Sequence, residues 1–279
     1  MAGWHSVTSR SAEFLQAAAE RPAALLLALD FDGTLAPIVT NPEDSRLDER
    51  AAAALTKLVP HVGQIAIISG RAAATIRDLG RLDQRPALNG MVVLGAYGAD
   101  RWVVGEPSLS QQPAPAAILK AWLLLRAAIT EAAMPGVHLE DKGQAIGVHT
   151  RTAADAGAAY TTLLPVVTKI AAETGLTLEP GKNVLELRAS TVDKGEAIGS
   201  LVAETGARVV AMCGDDLGDL PAFAALNKLH NVGLATCRVV SASAEQAVVA
   251  SHADVLADGP DGIADWLEEL VALLDGSSR

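Results

Sequence analysis

Asp30 and Asp32 stand two residues apart at the end of an apolar run, AALLLAL over residues 23–29, with Gly33 and Thr34 directly behind them. Two carboxylates at that spacing can divide nucleophilic and acid–base work, one attacking while the other moves a proton. A second acidic group closes another apolar run: Asp215, Asp216 and Asp219 in AMCGDDLGDL, residues 211–220. Oxygen-only donors at a strand end suit Mg2+, which takes few carboxylates and keeps several waters. Each cluster has a plain alternative. Asp-Gly makes an Asx turn, and Asp216 and Asp219 can serve a helix N-terminus. Two such clusters on one sheet edge favour chemistry, because converging carboxylates repel unless a cation joins them.

Two further segments supply cations and donors. In IISGR (67–71), Ser69, Gly70 and Arg71 follow a strand and precede a helix. A hydroxyl and free backbone N–H groups there form an anion cradle, or else Ser69 simply caps the helix. Lys194 opens the helix in VDKGEAI (192–198). The helix dipole disfavours a cation at that end, so an anion is its expected partner; taken alone, a solvated lysine is the simpler account.

These residues need elements to hold them. Strands are expected at 23–29, 64–69, 91–95, 208–213, 231–235 and 254–257, with 101–104 continuing as a hairpin. Helices are expected at 47–59, 71–80, 194–205, 218–226, 243–251 and 261–274. Such alternation predicts an α/β fold, a Rossmann-like parallel sheet with helices on both faces. In an open sheet of this kind ligands bind beyond the carboxyl ends of the strands, where both acid clusters fall. The polar, proline-bearing SLSQQPAPA (108–116) breaks the pattern. Helices at 115–133 and 153–174 then enclose two short strands, and NVLELRA (183–189) is a third. The expected organisation is a core of residues 1–106 and 190–279 with an α+β module, 107–189, inserted in it. Both termini are expected to fray.

The module's strands alternate with period two. Glu140 and Lys142 share a face with His138; His149 shares one with Arg151, opposite Ile146 and Val148; Glu186 and Arg188 oppose Leu185 and Leu187. One strand of this kind would read as a solvated outer face. Three together make a ligand-facing surface an equal reading.

Composition bounds the rest. Of 279 residues 50% are apolar but only 3% aromatic, so Ala, Val, Leu and Ile build the core. The formal net charge of -11 argues against nucleic acid or an anionic membrane as partner. It does not exclude a phosphorylated substrate, since a local metal ion can dominate a site. No apolar run approaches the ~20 residues that span a bilayer, and MAGWHSVTSRSAEFLQ has no signal-peptide hydrophobic region. Two cysteines, Cys213 and Cys237, make neither a disulfide framework nor a zinc site. A reducing, cytoplasmic location is expected.

DFDGT, ISGR, DKG and GDDLGD, in this order and spacing, resemble the haloacid dehalogenase-like phosphatases. The inserted module resembles that superfamily's larger α+β cap. More closely, the chain is similar to trehalose-6-phosphate phosphatases through DFDGTLAPI (30–38), ISGR (68–71), GAYG (95–98), LEDKGQAIGVHTR (139–151), GKNVLELR (181–188), DKG (193–195) and GDDLGD (214–219). The likeness covers about residues 23 to 275. It departs at Tyr97, where the family commonly has histidine, and at Gly218 and Leu220, where it commonly has threonine and an acid. The resemblance implies that Asp30 is the nucleophile and Asp32 the acid–base. It implies a Mg2+ cofactor held by Asp30, the Asp32 carbonyl and Asp215, with Asp216 and Asp219 behind them holding waters and Lys194. Gly33, Thr34, Ser69, Gly70 and Lys194 would bind the phosphate. Arg71, Glu140, Lys142, Lys182 and Glu186 would bind the rest of a small sugar phosphate, and Arg151 and Arg188 could instead pair with the acids. A functional pairing with a trehalose-6-phosphate synthase is also implied. Two other readings stand beside it: a phosphatase of the same fold for sucrose or glucosylglycerate phosphates, and a catalytically silent sugar-phosphate-binding module.

Overall fold

A computed structural model describes residues 3–107, 114–181, 183–189, 192–242 and 247–277. Lys182, most of the 108–116 stretch and the start of the expected 243–251 helix lie outside them. In chain order the elements are β1 (Trp4–Ser6), α1 (Arg10–Glu20), β2 (Leu25–Leu29), α2 (Glu49–Leu58), β3 (Gln64–Ile68), α3 (Ala73–Gly80), β4 (Val92–Gly95), β5 (Asp100–Val103), α4 (Ala116–Glu131), β6 (His138–Asp141), β7 (Ala145–His149), α5 (Ala156–Thr174), β8 (Thr177–Gly181), β9 (Val184–Arg188), α6 (Lys194–Thr205), β10 (Val209–Gly214), α7 (Leu220–Asn231), β11 (Ala235–Ser241), α8 (Ala247–Ala250), β12 (Val255–Ala257) and α9 (Gly259–Ser277). They fall into two compact units, Met1–Ser110 with Asp193–Arg279, and Gln111–Val192. No helix among the described residues is long and apolar enough to cross a membrane.

The first unit holds a sheet ordered β1-β12-β11-β10-β2-β3-β4-β5. Every pairing from β12 to β4 is parallel, and the edge strands β1 and β5 are antiparallel. β2 is buried along its whole length, as an interior parallel strand must be. Alternate residues feed two separate cores. Leu25, Leu27, Leu29, Ile65 and Ile67 pack on one face, while Leu26, Ala28, Ala66 and Ile68 pack on the other. Local signals fix the flanking helices. The Asp48 carboxylate accepts from Ala51 N and starts α2, which buries Ala51, Ala54, Leu55 and Leu58 on one stripe.

Three expectations are corrected here. The N-terminus does not fray from its third residue: β1 pairs with β12, and α1 buries Phe14 and Ala18. The strand expected at 231–235 lies at Ala235–Ser241. Asn231 closes α7 and Gly233, at φ +93°, makes the turn that follows. α7 likewise begins at Leu220 and runs past 226.

The N-terminal strand is tied down by Asp254. Its buried carboxylate accepts from Arg238 Nε and Nη2, both at 2.8 Å, from Arg238 N at 3.0 Å and from Thr8 Oγ1 at 2.7 Å. Burial alone would raise its pKa; the hydrogen bonds from Arg238 and Thr8 outweigh burial and hold the carboxyl below its usual value. A carboxyl depressed on folding contributes stability above its unfolded pKa and loses it as pH falls through the folded one. Asp254→Ala should therefore cost about 3–5 kcal/mol at neutral pH, because it strands a mostly buried guanidinium. The gap to wild type should shrink below about pH 4. Urea titrations of both proteins at neutral and acid pH check this, and a gap independent of pH would contradict it.

The second unit is a four-stranded antiparallel sheet ordered β6-β7-β9-β8, with α4 and α5 on its apolar face. Ile146, Val148, Leu185 and Leu187 meet Ile118, Leu125, Leu163 and Val167 there. β8 is a strand that the residue pattern does not announce, since TLEPG ends in Pro180 and Gly181. Asp155 caps the start of α5 and Gly175, at φ +71°, ends it.

Candidate active site

β2 and β10 are neighbours in register, Leu29 opposite Cys213, and Asp30 N donates to the Cys213 carbonyl at 2.8 Å. Each strand so delivers its acids to the same place: Asp30 just past β2, Asp215 just past β10. The chain runs outward from β2 to β3 and β4, then returns on the other side of β2 at β10. Strand order reverses between them, which is where open α/β sheets bind ligands.

Lys194 joins the two clusters. It is buried, so it is not a solvated lysine, and its Nζ lies 2.8 Å from Asp30 Oδ1 and 2.7 Å from Asp219 Oδ1. The other Asp219 oxygen accepts from the N–H groups of Asp215 (2.9 Å) and Asp216 (3.2 Å). Asp219 is thereby fully engaged in positioning. Asp216 is exposed and spends an oxygen on Gly218 N at 2.8 Å; it does not hold Lys194, contrary to expectation, because the capping turn fixes it outward. The Asp215 Oδ1 atom is buried and accepts no hydrogen bond.

Asp30, Asp215 and Asp219 offer oxygens that all lie within 4.8 Å of one another. Burial, then repulsion from Asp30, Asp219 and Asp216, pushes Asp215 up to about 9. Burial also raises Asp30 and Asp219, against the pull of Lys194. Burial works against the Lys194 ammonium, yet Asp219 and Asp30 hold its pKa well above the usual value. One lysine cannot balance three buried acids. A divalent cation can, and with Asp219 engaged, Asp30 and Asp215 are the carboxylates left to meet it. An all-oxygen donor set with an orphaned buried oxygen fits Mg2+.

Asp32 points elsewhere. Its carboxylate sits in the fork of Arg71, 2.5 Å from Nε and 2.8 Å from Nη2, and accepts from Ser45 Oγ at 3.1 Å. Its carboxylate is not among the clustered oxygens of Asp30, Asp215 and Asp219. Arg71, expected to bind substrate, here closes on Asp32 instead, because the two follow neighbouring strands. Ser69 is buried, and its Oγ accepts from Arg71 N at 3.2 Å, leaving the hydroxyl proton for another acceptor. The turn after β4 is stitched to this loop: Ala96 N donates to Arg71 O at 2.8 Å and Tyr97 N to Ser69 O at 2.9 Å. Ala96 and Tyr97 take φ of +47° and +61° to do so, a conformation costly outside glycine. The Tyr97 phenol lies where a side chain on Gly70 would go. Leu220, a departure from the pattern that the motifs resemble, opens α7 and packs against the core.

The loop after β2 differs from expectation at one donor. Gly33 N is committed to Ala36 O at 2.7 Å, so it is not available to a phosphate. Gly33 serves by its φ of +73° and by lacking a side chain where the Asp215 carboxylate packs. Thr34 keeps its donors: its Oγ1 is buried without a partner, and its N–H donates to no described residue.

In the second unit Glu140, Gly147, Glu186 and Glu179 lie opposite one another across the four strands, on the polar face. Lys142 Nζ lies 2.5 Å from Glu186 Oε2 and 3.8 Å from Glu140 Oε2, and His149 Nε2 is 2.8 Å from Glu140 Oε2. Arg188 pairs with Glu179 and donates to the Val192 carbonyl. Arg151 is exposed beyond the end of β7. Glu186 is buried, and its Oε1 accepts no hydrogen bond. Sequence reasoning missed Glu179, on the unannounced β8, and the serines Ser45 and Ser241. None carried a signal: with a strand expected at 231–235, Ser241 falls beyond its end, and only the observed β11 puts it at a strand terminus.

Residues 28–255 match the family model described as trehalose-phosphatase. The trehalose-6-phosphate phosphatase of Escherichia coli is 30% identical over 209 residues, which are 74% of each protein. A protein of Mycobacterium tuberculosis described as an uncharacterized glycosyl hydrolase is 34% identical over 224 residues, 77% of this chain but 16% of its own length. The present chain thus spans only a small part of that relative. Among solved structures, the C-terminal domain of Candida albicans trehalose-6-phosphate phosphatase aligns with a TM-score of 0.73 at 20% identity, covering 96% of this chain and 98% of that one. A haloacid dehalogenase-like hydrolase from Bacteroides thetaiotaomicron aligns with a TM-score of 0.60 at 16% identity, covering 88% and 98%. At those identities the structural matches speak for the fold.

Proposed function

This chain belongs to the trehalose-phosphatase family, and on that premise we propose that it hydrolyses trehalose 6-phosphate to trehalose and phosphate through an aspartyl-phosphate on Asp30, with Mg2+ as cofactor. The observation that carries the reading is the meeting of Asp30, Lys194, Asp219 and Asp215 at the sheet's switch point. A binding module has no use for a buried carboxylate held at 2.8 Å by a lysine and crowded by two more acids.

Phosphate monoesters hydrolyse extremely slowly unaided. An Asp30 oxygen forms a bond to phosphorus as the bond from phosphorus to the sugar oxygen breaks, and Asp32 gives that oxygen a proton. Water then attacks the same phosphorus, its proton goes to Asp32, and Asp30 is released. Asp32 must leave the Arg71 fork to reach the sugar oxygen. An incoming phosphoryl group is a natural exchange partner, since it accepts the same two-pronged donation. Ser69, Lys194 and the Thr34 donors meet the phosphoryl oxygens. Asp30, Asp215 and the Asp32 carbonyl would hold Mg2+, which when bound would supply positive charge against the phosphoryl oxygens.

Glu140, Lys142 and Glu186 read the sugar, with Lys182 as a further candidate. The buried, unsatisfied Glu186 Oε1 supports this, because such an atom needs a donor. Glu186→Ala should lower kcat/KM for trehalose 6-phosphate about five- to 150-fold, the equivalent of roughly 1–3 kcal/mol. Hydrolysis of a small aryl phosphate should hold, since that substrate makes no sugar contacts. A parallel fall in both rates would make Glu186 a support of the fold instead.

Supply by a trehalose-6-phosphate synthase and a cytoplasmic location belong to the same reading; two buried free cysteines suit a reducing compartment. Phosphate release from a panel of trehalose, sucrose, glucosylglycerate and glucose phosphates tests the substrate. A kcat/KM for trehalose 6-phosphate no higher than for the others would overturn it.

A further inference from the structure

We propose that Ser241, the last residue of β11, is a positioning residue that aims the phosphate cradle; the proposal rests on the phosphatase reading above. Ser241 is buried, and its Oγ donates to the Gly33 carbonyl at 2.6 Å across 208 residues of chain. That carbonyl belongs to the peptide joining Gly33 to Thr34. A trans peptide is planar, so its C=O and N–H point in opposite directions. Fixing the carbonyl on Ser241 fixes the Thr34 N–H away from it, and this N–H donates to no described residue. The neighbouring Thr34 hydroxyl is likewise buried without a partner.

The hold matters because the peptide follows a glycine. Gly33 sits at φ +73° and carries no side chain, so a rotation of the peptide meets little steric resistance. The Gly33 N–H is anchored to Ala36, but that bond belongs to the preceding peptide and does not stop the next one from turning. Ser241 supplies the missing restraint from the far side of β10. Its position at the carboxyl end of a parallel strand puts it on the edge where Asp30 and Asp215 emerge.

The test measures binding of inorganic phosphate by calorimetry, and trehalose 6-phosphate kinetics, with the Mg2+-supplied full chain and its Ser241→Ala and Ser241→Thr variants. Ser241→Ala should weaken phosphate binding and raise KM together, each by about three- to tenfold, the range for one lost neutral hydrogen bond. Inhibition by trehalose should stay unchanged, and Ser241→Thr, which keeps the hydroxyl, should recover both. If Ser241→Ala does not fold, Ser241→Cys keeps the volume with a weak donor and should show the same loss. Unchanged phosphate binding in a folded Ala or Cys variant would overturn the proposal and reduce Ser241 to a packing residue. A wild type that binds phosphate yet leaves trehalose 6-phosphate intact would sink the substrate assignment, while the phosphate arm would still decide on Ser241.

Discussion

Asp30→Asn is expected to release phosphate from trehalose 6-phosphate at less than roughly one ten-thousandth of the wild-type rate, the scale of losing a covalent nucleophile. An amide of the same shape cannot form the acyl phosphate. Its neighbours are committed elsewhere: Asp32 lies in the Arg71 fork, both Asp219 oxygens are engaged by Lys194 and two backbone N–H groups, and Asp215 is the carboxylate assigned to the metal. The fold should survive. Lys194 keeps Asp219 at 2.7 Å, and a crowded acid cluster loses one buried charge. Steady-state phosphate release with a melting curve reads both effects. Turnover within tenfold of wild type would remove Asp30 as nucleophile.

The second large effect is metal removal. Exhaustive chelation should bring turnover to background, and Mg2+ should restore it in full. Zn2+ should restore little, because it prefers nitrogen and sulfur donors in four-coordinate sites, whereas the donors here are oxygens. The physical reason is charge. Asp30, Asp215 and Asp219 are buried within 4.8 Å of one another, with Lys194 as the balancing cation among the described residues. Without a divalent ion, burial and the neighbouring acids hold a proton on Asp215 to about 9, and the site lacks the positive charge that the phosphoryl group needs. Adding Mg2+ should also raise the melting temperature of the chelated protein, by binding the folded state alone. Asp215→Asn should abolish that rise. Full activity after chelation would remove the metal from the account.

What could be seen in advance followed from local chemistry. β2, β3 and β10 are apolar runs ending in acids or in Ser-Gly-Arg, and both the runs and their endings are visible in order along the chain. The switch point that joins Asp30 to Asp215 then follows from parallel βα topology. What could not be seen depends on distant pairing. β1 is three residues long and exists because β12, some 250 positions away, offers it an edge. β8 is disguised by Pro180 and Gly181, and with it goes Glu179. Ser45 and Ser241 read as ordinary polar residues, since a serine acquires meaning only from the carboxylate or carbonyl it meets. Gly33 and Arg71 show the reverse. Their motifs are legible, but only geometry reveals that the Gly33 N–H is committed to Ala36 and that Arg71 grips Asp32.

In the proposed reaction Asp30 takes the phosphoryl group of trehalose 6-phosphate. Its most direct test mixes enzyme, Mg2+ and substrate, quenches in acid within one turnover, and reduces the protein with borohydride before peptide mass spectrometry. An acyl phosphate is reduced to an alcohol, so homoserine is expected in place of aspartate at position 30, dependent on trehalose 6-phosphate and absent from Asp30→Asn. Phosphate released within that turnover with position 30 unmodified, or the modification found at Asp32 or Asp215, would contradict it.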